Sequence, residues 1–327
     1  MSARGGKEMN GSDAAIALSV CICTFNRADD LAFVLEGLAR LRIPQGRGVE
    51  FIIVDNASTD ATLAVLSAAA AHFPFPLQVH YEPTQGLGAA RNCALRHARG
   101  EVIAWTDDDC VPAEDWIERI LAHFDKDPER HLLTGRVELY DPSHYPITIN
   151  TSLDPAILDG LGTSGSSLIG CNLAFRRSLV ERIGVFDPRF GAGAPLRSAE
   201  DTDFAFRALR KGCRIAYTPD VLLYHNHKRV THDQVMRLRR SYTYGEGAML
   251  MKYLLAGDGT GARWFYWRFR GIIGRILRPT PWLPTRTGHA ALLLEFLAGA
   301  LAFLGFALRG SPVPGLGRDA RSLRTAP

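Results

Sequence analysis

The chain has 327 residues, of which 46% are hydrophobic and 22% charged, with 31 glycines and 18 prolines. These proportions fit a soluble globular protein and exclude a disordered tail protein, a collagen-like repeat and a many-spanning membrane protein. The length suffices for one large domain or two. The net charge of +4 hides an asymmetry. From Arg229 onward there are 15 Lys+Arg against 5 Asp+Glu, leaving the earlier residues 23 against 29 of the totals of 38 and 34. An acidic front and a basic, aromatic back imply two jobs in one chain, the back suited to nucleic acid or an anionic membrane. Six cysteines, at 21, 23, 93, 110, 171 and 213, form no CxxC pair. That argues against a structural zinc site and a disulfide framework, and for a reducing compartment. Residues 1–14 read as a flexible polar lead-in without a secretory h-region, consistent with the cytoplasm.

The first 125 residues alternate strand-like and helix-like patterns. Residues 16–23 predict a strand, and Leu31, Val34, Leu35, Leu38 and Leu41 recur at helical spacing. The apolar run 51–54 predicts a second strand and 61–71 a second helix; 77–81, 89–98 and 102–105 repeat the scheme. Such alternation predicts an α/β fold with a parallel sheet covered on both faces. In such sheets ligands bind beyond the carboxyl ends of the strands. Those ends carry Thr24-Phe-Asn-Arg27, Asp55-Asn-Ala-Ser-Thr-Asp60, Gln85-Gly-Leu-Gly-Ala-Ala-Arg91 and Thr106-Asp-Asp-Asp109.

Three consecutive carboxylates repel one another unless something positive sits among them. In an extended segment Asp107 and Asp109 would share one side and Asp108 the other, giving two hard oxygen ligands suited to Mg²⁺ or Mn²⁺. The plainer alternative is an acidic first turn for a helix starting near Pro112. Gly86-x-Gly88 with Arg91 one turn on suits a diphosphate held on backbone N–H groups and a guanidinium, or merely a tight strand–helix turn. It lacks the third glycine and the first-strand position of a dinucleotide fingerprint. Asp55 suits a base or ribose, although Asp55, Asn56, Ser58 and Thr59 also have capping chemistry. Ser198-Ala-Glu-Asp201 resembles a capping box, which the residues alone favour over a carboxylate base behind the glycine-rich loop 190–194. His225 and His227 suit a metal, a phosphate or plain solvent.

Taken together, Val20-Cys-Ile-Cys-Thr-Phe-Asn-Arg27, Val54-Asp-Asn-Ala-Ser-Thr-Asp60, Gly86-Leu-Gly-Ala-Ala-Arg-Asn92, Asp107-Asp-Asp109, Gly170-Cys-Asn-Leu-Ala-Phe-Arg-Arg177 and Glu200-Asp-Thr-Asp-Phe204 resemble the family 2 glycosyltransferases of the GT-A fold. Six motifs in order, over residues 15–230, are a specific signal. The resemblance implies a Rossmann-like, mostly parallel sheet flanked by helices, with a nucleotide-binding half at 15–125 and an acceptor half at 126–230. It also implies a nucleotide-diphosphate sugar donor and inverting transfer. Thr24, Phe25, Asn26, Arg27, Asp55, Ser58, Gly86, Arg91, Asp107 and Asp108 would then hold the nucleotide sugar. Asp109, with Asp107 and one of His225 and His227, would hold a divalent metal, Mg²⁺ or Mn²⁺. Asp201 would be the general base, paired with Glu200, and Gly170, Cys171 and Asn172 would line the acceptor side. Loops 142–167 and 190–197 are the expected specificity loops.

Residues 231–310 predict a basic, apolar helical extension on a membrane. On a helix of 100° per residue, Arg263, Arg268, Arg270, Arg275 and Arg278 share an arc of about 160°, opposite Phe265, Phe269, Ile272, Ile273 and Ile276. That pattern predicts an interfacial helix on anionic lipid, the alternative being an apolar side packed on the catalytic domain. Nucleic acid is not expected, because no binding module accompanies the charge. Residues 290–308 form an apolar run, interrupted by Glu295, that as a helix spans about 28 Å; it predicts a spanning, interfacial or buried helix. The tail 311–327 is expected to be disordered. The sequence therefore predicts a metal-dependent, inverting glycosyltransferase at the cytoplasmic face of a membrane, acting on a glycan or lipid-linked acceptor. A sugar-1-phosphate nucleotidyltransferase and a non-catalytic nucleotide-sugar-binding or membrane-scaffold protein are the alternatives.

Overall fold

The computed structural model describes residues 15–158, 168–281, 283 and 285–310. The expected lead-in 1–14, the tail 311–327 and part of the expected loop 142–167 lie outside the described residues. Strands β1 (Ile16–Thr24), β2 (Gly48–Asp55), β3 (Leu77–Tyr81) and β4 (Val102–Trp105) alternate with helices α1 (Leu31–Ala39), α2 (Thr62–Ala70) and α3 (Leu87–His97). They lie in the order β3-β2-β1-β4, all parallel. Then follow β5 (Cys110–Pro112), α4 (Trp116–Lys126), β6 (Leu132–Leu139), β7 (Ala156–Leu158), β8 (Leu173–Arg176), α5 (Ser178–Ile183), α6 (Glu200–Arg210) and β9 (Ile215–His225).

Side chains alternate across the strands, so each strand feeds two cores. Val20, Ile22, Phe51 and Ile53 pack with Val34 and Leu38 of α1 and with Trp116, Ile120 and Phe124 of α4. Cys21, Ile52 and Val54 pack on the other face with Ala90 and Ala94 of α3 and with Phe204 and Ala208 of α6. Burial on both faces explains the unbroken apolar runs, each large side chain contributing about 1.5–3 kcal/mol. Beyond β4 the sheet continues β8-β6-β9-β5, with β7 also on β9. Here β8 runs antiparallel to β4 and β6, and β5 and β7 run antiparallel to β9. The sheet is therefore mixed, its parallel half being the four N-terminal strands that crossover helices connect. The helix expected near Pro112 begins later, at Trp116, because Cys110–Pro112 pairs with β9 instead.

Helices α7 (His232–Leu255), α8 (Gly259–Leu277) and α9 (Arg286–Leu308) share a third core with Phe190, Leu196 and Phe206. A Cβ at Gly247 would overlap the Phe296 carbonyl, and one at Gly299 that of Tyr244, so α7 and α9 meet backbone to backbone. A buried polar clasp joins α7 to α6. Lys252 Nζ donates to Asp203 (2.7 Å) and Asp187 (3.1 Å), and the Tyr253 hydroxyl donates to Asp203 (2.7 Å).

The periodicity of α8 predicts an apolar side on lipid, and the structure corrects this. Ile272 is buried, Phe265 packs on Phe296 at 5.2 Å and Trp264 on Phe206 at 5.9 Å. The apolar side finds its partner within the chain, leaving Tyr266, Trp267 and Arg270 outward. Helix α9, with a mean hydropathy of 2.2, is long and apolar enough to cross a membrane. One side, with Leu292, Phe296, Gly299 and Phe303, is buried; the other presents Leu294, Leu297, Leu301 and Leu308 to solvent.

Candidate active site

Parallel register brings Thr24 at the end of β1 level with Asp55 at the end of β2. Two loops laced together follow. Asn26, at φ 52°, donates its N–H to Ser58 Oγ (2.9 Å) and accepts the Thr59 N–H on Oδ1 (2.8 Å). Asn26 and Ser58 thus set the shape of these two strand-end loops, and Phe25 beside them is 40% exposed. Asp55 accepts the Ser58 N–H on Oδ1 (3.1 Å), while its buried Oδ2 has no hydrogen-bond partner among the described residues. An acceptor so placed has a use only toward a ligand or water. Asn56, read from the sequence only as a capping residue, ties this loop to the third strand end through Thr84 O (2.8 Å) and the Gly86 N–H (2.8 Å).

The glycines at the start of α3 are a correction. Gly86 N–H is taken by Asn56 and Leu87 N–H by Ala192 O (2.9 Å), so these two N–H groups are not free to cradle a diphosphate. A Cβ at Gly88 would stand 2.8 Å from the Asp187 and Phe190 carbonyls, and one at Gly86 (φ 134°) 2.9 Å from Ala194. Close packing against the loop 187–194 is what requires glycine here. Arg91 is buried, only 2% exposed. It lies over the rings of Trp105 and Phe186 and reaches Glu200 (3.2 Å) and Asp107 (3.8 Å).

The three aspartates do not alternate as an extended segment would. Cys110 N–H donates to Asp107 O (3.1 Å), making a turn. Asp107 leans toward Arg91, whereas Asp108 and Asp109 both face Arg27 at 3.5 Å. Thr24 lies beside Asp108, whose carboxyl burial pushes up to about 7 against the pull of Arg27. Asp109 is also buried, yet the His225 hydrogen bond and Arg27 hold its carboxyl well below the usual range. His225 Nε2 stands 3.3 Å from Asp109 Oδ1, and that bond raises the imidazole to about 9 against its burial. His227 is turned away, its Nε2 on Tyr145 O (3.1 Å) and its Nδ1 accepting the Arg229 N–H (3.0 Å). Asp108 and Asp109 border a cavity of about 290 Å³ with Asp29, Asp30 and Lys228.

The capping box expected at Ser198 is absent. Ala199, at φ 75°, is the N-cap residue of α6 with no side-chain cap, and Ser198 Oγ donates to Ser241 O on α7 (3.0 Å). Glu200 turns inward to Arg91, and burial with the Asp201 charge pushes it up to about 7. Asp201 accepts the Thr202 N–H on Oδ1 (2.6 Å), and its Oδ2 occupies the space a side chain at Gly170 would need. Of the three expected acceptor residues, only Gly170 meets Asp201. Cys171 is buried, and Asn172 is 1% exposed, giving its amide to Arg136 O (2.9 Å) and Val221 O (2.8 Å) and accepting Trp116 Nε1–H (2.9 Å). Asn172 therefore fastens β6, β9 and α4 and is not available to an acceptor. Tyr242 of α7, within electrostatic reach of Asp201 and Asp107, was not legible because α7 carries no motif.

Residues 19–184 match the family described as Glycosyl transferase family 2, and residues 102–311 match Glycosyl transferase family group 2. The chain belongs to glycosyl transferase family 2. It is 27% identical over 213 residues to the succinoglycan biosynthesis protein ExoM of Rhizobium meliloti, covering 62% of this chain and 64% of that one. It is 28% identical over 209 residues to the pre-mycofactocin glycosyltransferase of Mycobacterium tuberculosis, covering 62% of this chain and 42% of that one. The match thus spans less than two thirds of either relative's length. In fold it is similar to the mannosyltransferase PcManGT of Pyrobaculum calidifontis, solved with GDP-Man and Mn²⁺, at a TM-score of 0.56 and 22% identity, covering 92% of this chain and 79% of that one. S. aureus TarS 1–349, solved with UDP-GlcNAc, gives a TM-score of 0.56 at 18% identity, covering 90% of this chain and 88% of that one. These likenesses establish the GT-A fold.

Proposed function

We propose that this family 2 chain transfers one sugar, with inversion, from a nucleotide-diphosphate donor to a hydroxyl of a glycan or lipid-linked acceptor, using Mg²⁺ or Mn²⁺. The observation that carries the proposal is the unequal setting of Glu200 and Asp201. Glu200 is buried on Arg91, while Asp201 directs an oxygen to the bare Gly170. Asp201 takes the acceptor's proton as its bond to the anomeric carbon forms, a role worth about 10²–10⁴-fold. Glu200 holds Arg91 against Asp107, fixing positive charge near the leaving diphosphate. Thr24, Arg27 and the unpartnered Asp55 oxygen receive the nucleoside.

The donor set fits a hard divalent ion: a carboxylate and an imidazole 3.3 Å apart, beside a cavity. Asp109 and His225 would hold it, His225 giving up its proton, and Asp107 stands nearby. Such an ion, when bound, neutralises charge on the departing diphosphate. The relatives' names support sugar transfer and a glycan product. The outward leucines of α9, with Arg286 and Arg309 at its ends, support an anionic membrane as partner. All six cysteines are free, which supports the cytoplasmic face.

Titration calorimetry of UDP, GDP and related diphosphates, with and without Mn²⁺, tests the donor site. One nucleotide should bind only with Mn²⁺, and Asp109→Ala should lose it. Asp201→Asn should keep that binding while release of the diphosphate from the matching nucleotide sugar falls by about 10²–10⁴-fold. Loss of both together in Asp201→Asn would sink the base assignment. No binding by folded protein with lipid present would favour the scaffold alternative.

A further inference from the structure

Cys110 opens β5 and is the cross-strand partner of His225 on β9. Cys171 comes from the loop before β8. The sulfurs of Cys110 and Cys171 and a nitrogen of His225 all lie within 4.8 Å of one another, and all three residues are buried. Cys110 Sγ also stands 3.6 Å from Asp109 Oδ1. Asp109 is in turn 3.3 Å from His225 Nε2. Three ligand atoms of the types that zinc prefers, two thiols and one imidazole, thus lie together, and the Asp109 carboxylate stands beside Cys110 and His225 as a fourth.

We propose that Cys110, Cys171, His225 and Asp109 form a four-coordinate seat for a thiophilic divalent cation of the Zn²⁺ class, mutually exclusive with the hard cation proposed at Asp109 and His225. Beyond the choice of ligands, three features support it. His225 Nδ1 faces Thr148 O (3.3 Å) and Thr148 Oγ1 (3.2 Å), an outer partner that orients Nε2 toward a metal. Asp109 borders the cavity of about 290 Å³, giving a path of entry. The thiols also belong to different elements, so an ion held between them ties β5, β9 and the Gly170 loop together. Binding releases both thiol protons and the His225 imidazolium proton to solvent. With four protein ligands the seat is closed and leaves no position for a diphosphate oxygen. The exclusivity, though not the seat, rests on the proposed donor site.

Cadmium is the probe, because its bond to thiolate gives an ultraviolet charge-transfer band that needs no turnover. The reduced chain should take up one Cd²⁺ with a two-thiolate band. Cys110→Ser and Cys171→Ser should each halve the band and weaken Zn²⁺, measured against a chromophoric chelator, by about 100-fold or more, since loss of an outer partner alone costs about 10–100-fold. Cys213→Ser, remote from the cluster, should change neither. A band indifferent to Cys171→Ser, or equally reduced by Cys213→Ser, overturns the seat, as does its absence from folded wild type. Mn²⁺-dependent nucleotide binding measured in parallel reports separately on the donor site. If Zn²⁺ loads but leaves that binding intact, mutual exclusivity is overturned.

Discussion

Asn172 shows how one side chain changes meaning between sequence and structure. Its motif resembles an acceptor loop, yet its amide is fully engaged with Arg136, Val221 and Trp116. Asn172→Ala would leave two carbonyls and an indole N–H buried without partners. Stability should fall by about 3 kcal/mol, at about 1–3 kcal/mol for each unsatisfied group with partial relaxation. Urea denaturation reads the loss, and nucleotide affinity per folded molecule should be unchanged. Full stability with altered affinity would restore the ligand role. The same lesson holds at Gly86 and Gly88, whose spacing reads equally as phosphate loop or close packing. Only the neighbouring Ala194 and the Asp187 carbonyl decide between them.

At the scale of elements, α6 is held from behind while its N-terminus faces the site. Glu200 and Asp201 open it, and Asp203, one turn on, is buried among Lys252, Arg207 and Tyr253. Burial alone would raise the Asp203 carboxyl; the cations around it hold it at about 2, against an ordinary 3.8. Because the folded value is the lower one, its contribution is full above about pH 4 and is lost as pH falls toward 2. That contribution is about 2 kcal/mol. Asp203→Asn should therefore lower stability at neutral pH and flatten its pH dependence over that window, measured by denaturant unfolding at a series of pH values. An unchanged slope would place the acid sensitivity elsewhere. The sequence shows Lys252 only as one basic residue in a helix. Its partners stand 49 and 65 residues away, and periodicity carries no information about such pairings.

Over the whole molecule, the C-terminal helices are joined to the glycosyltransferase core by a shared apolar cluster and by the Lys252 clasp. The apolar face left unpartnered is the outer side of α9, where Leu294, Leu301 and Leu308 are 68%, 65% and 80% exposed. Vesicles containing phosphatidylglycerol should bind the protein in a flotation assay, less so as salt rises, because the basic C-terminal charge is screened beyond a Debye length. Replacing Leu297 and Leu301 together by Glu should weaken binding by about tenfold or more, each leucine contributing about 1.5–3 kcal/mol when buried. Equal binding to neutral vesicles would remove the electrostatic part. Unchanged binding by the double variant would move the contact away from α9.

The sequence by itself determined the strand–helix alternation, the polar strand ends and the family. These are local matters of periodicity and of short motifs that keep their order along the chain. It also marked Asp109, Arg91, Glu200 and Asp201, which the fold brings toward one another from three separate segments. Only the tertiary structure decided that His225 and not His227 meets Asp109, that Asn172 is a fastener, and that the apolar side of α8 faces protein. It alone placed Cys110 and Cys171 together, although their spacing in sequence argues against a metal site. The physical reason is common to all four. A side chain's partner is set by which element packs beside it, and the contacts that matter here join residues tens of positions apart.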